Sequence, residues 1–233
     1  MRARALGSAG LAGAALGGYW LPAGAALSTP LAHALGVRTT IGAPGGVALT
    51  FDDGPHPEGT PAVLEALARH GARATFFLVG EQVERWPGLA AEIVAAGHAV
   101  GVHCQRHRNL LRLDPREVRE DLERAGAAIG EATGTAPRLY RPPYGILNGA
   151  ALRHARSSGW APLLWSRHAA DWRSRATVGS IVRRLTEGLR PGEVLLLHDA
   201  DWYGTPGSWR KTAAAVPVVL AELARLGLQP DLA

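Results

Sequence analysis

The chain has 233 residues, 47% of them hydrophobic, which is enough for one substantial core and shows no bias toward disorder or a fibrous repeat. Its 25 Lys and Arg against 20 Asp and Glu leave a net charge of +5, with the arginines scattered rather than massed, so no nucleic-acid partner is indicated. A single Cys excludes an intrachain disulfide framework.

In chain order, the first 36 residues stand apart. Arg2 and Arg4 precede an uncharged, Ala- and Gly-rich stretch from Ala5 to Leu27, and Ala32-His33-Ala34 has the small-x-small pattern of a cleavage site. Residues 1–36 therefore read as an export segment, either a removable signal peptide or a retained membrane anchor. An Ala-rich helix packed on the domain is the third reading. Residues 37–46 end in a Gly/Pro-rich joint and read as a linker, and residues 47–233 as one folded domain.

Beyond that joint, short apolar runs alternate with longer helical patterns, the arrangement that gives a parallel sheet with crossover helices. Strands are predicted over residues 47–51, 74–79, 99–102, 139–141, 163–165 and 194–197, with a weaker one near Leu228. Helices are predicted over 61–70, 87–96, 114–133, 148–158, 178–189 and 211–226. The third is the clearest: Asp114 can cap it, Pro115 opens the first turn, Glu117 completes a capping box and Gly134 stops it. Polar residues cluster at predicted strand ends: Asp52 and Asp53, His103, Arg141 and His198 each follow a different strand. A parallel barrel gathers those ends on one face. The folded part is short for eight units, so fewer units or incomplete closure is expected.

Asp52-Asp53 and the pair His103 and His107 supply two carboxylates and two imidazoles. One Asp with two His can hold a divalent metal and leave an open position for water, with the other Asp spare as a base. Each piece also has an ordinary reading, as a capped turn or an exposed His pair. Cys104 is better placed for packing than for ligation, because it adjoins His103. His98 reads as structural.

With these residues in order, the chain resembles the polysaccharide deacetylase family, carbohydrate esterase family 4. Thr50-Phe51-Asp52-Asp53-Gly54-Pro55 matches its first motif, which implies Asp52 as general base and Asp53 as metal ligand. His103 and His107 match the ligand pair of the second motif, where Cys104 replaces the usual hydroxyl. Arg141-Pro142-Pro143-Tyr144-Gly145 matches the third, implying that Arg141 holds Asp52 and that the Tyr144 backbone N–H stabilises an oxyanion. Asp171-Trp172 matches half of the fourth: Asp171 would tune the acid histidine and Trp172 would wall the sugar, while His168 stands where an Asp is common. Leu195-Leu196-Leu197-His198 matches the fifth, implying His198 as general acid.

The resemblance, over residues from Val47 to a little beyond Leu197, implies an α/β fold, a distorted parallel (β/α) barrel of about seven units. It also implies metal-dependent removal of acetyl groups from a polysaccharide, with Zn as the first choice; the N-terminal segment adds the expectation of an exported protein, associated with a membrane if that segment is kept, and a monomer is expected. Hydrolysis of another C–N bond in a small molecule, or glycan binding by an impaired centre, are the two other readings.

Overall fold

The computed structural model describes residues 19–233. Residues 1–18, the start of the expected export segment, lie outside them. The most apolar stretches form strands covered on both faces: every residue of β1 (Gly46–Asp52) and β2 (Thr75–Val79) is buried, as parallel strands between helices require. The others are β3 (Ala99–Cys104), β4 (Leu139–Tyr140), β5 (Ala161–Pro162), β6 (Arg167–His168), β7 (Val194–His198) and β8 (Gln229–Asp231).

The sheet runs β5-β4-β3-β2-β1-β7-β6, all neighbours parallel, with β8 laid against the start of β1. This seven-strand path is the distorted (β/α) barrel expected from the sequence. Residues 37–46, expected as a linker, help span its open side. Arg38 bridges Leu163 in parallel, Thr40 bridges Glu193 in antiparallel fashion, and Val37 and Ile41 are buried.

The helices follow their sequence signals. Helix Pro115–Thr133 has the full capping box between Asp114 and Glu117, and it ends on Gly134 at φ 63°, a conformation that suits glycine. Asn148 caps Gly149–Ser157 by accepting from the Ala151 N–H. Helix Gly80–Arg85 is short and was not anticipated.

One predicted strand is corrected. Residues 163–165 form the irregular link between β5 and β6, because the buried guanidinium of Arg141 donates to the carbonyls of Leu163 and Leu164, at 3.1 and 3.2 Å.

The described part of the N-terminal segment packs on the body. Tyr19 donates to the Leu113 carbonyl at 2.6 Å and accepts from Asn148 at 3.0 Å, and Ala25 and Ala32 are buried. Ala32 and Ala34 lie within helix Thr29–Ala34. No helix of the described residues is long and apolar enough to cross a membrane.

Candidate active site and metal centre

Sheet register assembles the site. Asp52 pairs with His198 across β1 and β7, and Val102 pairs with Tyr140 across β3 and β4, so His103 and Arg141 follow at one level. Neighbouring residues of a strand normally face opposite ways. Asp53 escapes that rule with φ 78°, which turns its carboxylate into the same cavity as Asp52. Gly54 must lack a side chain here, since a Cβ would overlap the Asp199 carboxylate.

Only three described non-glycine residues have positive φ: Asp53, Tyr144 at 59° and Ala170 at 54°. Two are predicted site residues and the third precedes Asp171. Such backbone costs on the order of 1–3 kcal/mol per residue and collects at functional sites.

Asp53, His103 and His107 each offer a ligand atom within 4.8 Å of the others. The Nε2 atoms of His103 and His107 stand 3.4 and 3.5 Å from Asp53 Oδ1, a buried oxygen with no hydrogen-bond partner. His103 Nδ1 donates to the Arg141 carbonyl at 2.7 Å, which leaves its Nε2 lone pair facing Asp53. Burial pulls the His107 pKa down to about 4 despite Asp53, keeping this imidazole in the neutral, ligating form. Burial pushes the Asp53 carboxyl up, but His103, His198 and His107 outweigh it and hold it at about 2. One carboxylate oxygen and two imidazole nitrogens fit a divalent cation of the zinc type.

Asp52 is left outside this set. Its Oδ1 accepts from Arg141 Nη1 at 2.7 Å, and the same Nη1 donates to Thr50 at 2.8 Å. Arg141 is wholly buried and lies 4.0 Å over the Phe77 ring. Opposite, Asp171 accepts from the His198 backbone N–H at 2.7 Å, from its Nδ1 at 3.0 Å and from the Thr212 hydroxyl at 2.8 Å. Burial opposes a charged His198, but Asp171 prevails and pushes its pKa up to about 10. Nε2 of this imidazole faces Asp53 Oδ2 at 4.0 Å.

Asp52, Asp53, His103, His107 and His198 share a cavity of about 270 Å³ with Tyr144, Trp165, Trp172 and Tyr203, and Arg141 and Asp171 stand behind its wall, bonded to Asp52 and His198. Through His107 and Tyr144 it adjoins an open groove of about 700 Å³. All the predicted site residues are therefore together. Tyr144 is 57% exposed and meets His107 edge-on at 4.5 Å. Trp172 meets His198 edge-on at 5.1 Å. His168 lies behind, its ring 5.5 Å from that of Trp172. His98 is structural, accepting from the Ala74 N–H.

Two contributors were not anticipated. Tyr203 stacks on His107 at 4.2 Å and 12°, and its hydroxyl donates to Glu81 at 2.9 Å. Asp199 is fully buried, accepts from Thr60 and is pushed up to about 7 by burial. Its place directly after His198 was the available signal.

A model of the polysaccharide deacetylase family matches residues 42–163. A chitooligosaccharide deacetylase of Bradyrhizobium sp. is 42% identical over 154 residues, 66% of this chain and 70% of its own. A peptidoglycan-N-acetylglucosamine deacetylase of Bacillus cereus is 36% identical over 183 residues, 78% of this chain and 83% of its own. Among solved structures, a family 4 carbohydrate esterase from Streptomyces lividans in complex with acetate superposes with a TM-score of 0.72 at 33% identity. That match covers 80% of this chain and 91% of that one.

Where the resemblance led to a hydroxyl after the first ligand histidine, this chain has Cys104, fully buried with its thiol pKa raised well above the ordinary value by burial. The loop that follows is secured from another element. Asp121, inside helix Pro115–Thr133, accepts from the backbone N–H groups of Gln105 and Arg106 at 2.7 and 3.3 Å, and from Arg108 at 3.0 Å. Substituting Asp121→Ala strands three donors, so it should cost about 2 kcal/mol and lower Tm by ~4–8 °C in a thermal melt. Zinc affinity measured by chelator competition should weaken with it. An unchanged affinity would show that Asp121 does not hold the His107 loop.

Proposed function

This chain belongs to the polysaccharide deacetylase family, and we propose that it is a zinc-dependent hydrolase of N-acetyl groups on a glucosamine-containing polysaccharide outside the cytoplasm. The observation that carries this reading is the convergence of Asp53, His103 and His107 beside an Arg141-bound Asp52, with the Asp171-bound His198 across from them. The relatives named above supply the substrate class. The open groove beside the cavity suits a polymer better than a small enclosed molecule.

In the proposed mechanism Asp53, His103 and His107 would hold a divalent cation, which would supply Lewis acidity toward the acetyl carbonyl and a water. Asp52 takes the proton of that water at its free carboxylate oxygen, while Arg141 fixes the other oxygen and compensates its charge. The Tyr144 backbone N–H donates to the developing oxyanion. His198 gives its Nε2 proton to the nitrogen of the departing glucosamine, since an amine does not leave as an anion, and Asp171 holds the imidazole in register through Nδ1. Trp172 and Tyr144 wall the sugar. The reading further takes the chain as an exported monomer, with residues 1–36 as its export signal or anchor.

Three outcomes test this. Asp52→Asn should keep bound zinc near one per chain and cut acetate release from acetylated chitooligosaccharide or peptidoglycan by at least about a hundredfold, the scale of a lost general base. Release at the parent rate would remove Asp52 from that role. Exhaustive chelation should abolish release and added zinc restore it, and full activity without metal would overturn the cation's part. In Asp171→Asn, the carboxylate that does most to raise His198 is gone, and burial then acts against only the weaker pull of Asp53 and Asp52. The imidazolium is then lost at lower pH, so the alkaline limb of the kcat/KM profile should move down by more than one pH unit while the acid limb stays.

A further inference from the structure

Beyond Trp172 the chain enters a loop that, with helix Val178–Thr186, borders an open recess of about 440 Å³. Arg173, Arg175 and Arg184 line it together with Ser174 and Ser180, and no carboxylate does. Among the described residues none of the three guanidinium groups has a salt-bridge partner, whereas Arg124, Arg167 and Arg210 each hold a glutamate. Lys211 adds a fourth cation to the same loop by donating to the Ser174 carbonyl at 2.9 Å. Like charges gathered in one recess repel each other and give the fold nothing, but they focus a positive field on whatever enters. The guanidinium fork also matches an oxyanion in two-point contact.

The recess is tied to the reacting centre. Ala170, on its wall, directly precedes Asp171. The His168 pKa is lowered first by burial and then by Arg184 and Arg173, so both guanidinium groups act on this ring. His168 lies 5.5 Å from Trp172, which lies 5.1 Å from His198. Trp172 on the wall of the catalytic cavity is followed directly by Arg173 on the wall of the recess, so the two sites are consecutive along the chain.

We propose that Arg173, Arg175 and Arg184 form an oxyanion subsite that binds a carboxylate or phosphate carried by the glycan whose acetyl group occupies the catalytic cavity. This rests on the deacetylase reading and adds to it a preference for acidic over neutral chains.

The test compares the parent with R173Q/R184Q on three acetylated glucosamine oligomers of equal length. One is neutral, one bears lactyl-ether carboxylates on alternate sugars, and one bears phosphate esters. The double variant should lose roughly tenfold in kcat/KM on an acidic oligomer and keep its rate on the neutral one. Raising the salt concentration should erase the parent's preference. The oligomer that suffers identifies the oxyanion. Equal losses on neutral and acidic oligomers, or no loss on either acidic one, would overturn the subsite. If the parent released acetate from none of the three, the deacetylase reading would have failed, and calorimetric binding of the acidic oligomers would still decide the subsite. Weaker binding by the variant would support it, and equal binding would end it.

Discussion

A single buried ion pair holds this architecture to its chemistry. Arg141, with no exposed surface, joins three parts of the sheet. Nη1 reaches Thr50 and Asp52 on β1, Nε and Nη2 occupy the carbonyls between β5 and β6, and its own backbone follows β4. An isolated guanidinium or carboxylate at such depth would be strongly disfavoured, and breaking a pair of this kind costs on the order of 3–5 kcal/mol. The Asp52 carboxylate is thus tied to the strands that surround it. The main-chain carbonyl of Arg141 also orients His103, so one residue positions both Asp52 and His103.

The cavity sorts its imidazoles by surroundings. Burial dominates at His107 and holds it neutral, whereas Asp171 dominates at His198 and holds it charged. Two rings of one residue type, facing the same Asp53, thereby suit opposite tasks, ligation and proton donation. The backbone contributes as well: the positive φ values at Asp53 and Tyr144 direct groups inward that a relaxed strand or turn would point elsewhere.

Much of this was legible in the sequence because the signals are local. Capping residues mark the start of helix Pro115–Thr133, apolar runs mark β1 and β7, and the polar residues that end those runs mark the site. What escaped reading depends on contacts between distant segments. Asp121 looks like any acidic residue of an amphipathic helix until the fold brings Gln105 and Arg106 to it. Tyr203 gains its place only because Glu81 and His107 stand on other elements. Residues 163–165 have strand composition, yet the guanidinium of Arg141, just after β4, takes carbonyls that a neighbouring strand would have used.

The packing of the N-terminal segment bears on maturation. A peptidase cutting after Ala34 would not detach a disposable tag from a finished body. It would free the piece that carries buried Ala25 and Ala32, and with it the Tyr19 hydroxyl that links Leu113 to Asn148 at the head of helix Gly149–Ser157. Secretion and folding would then compete for the same residues.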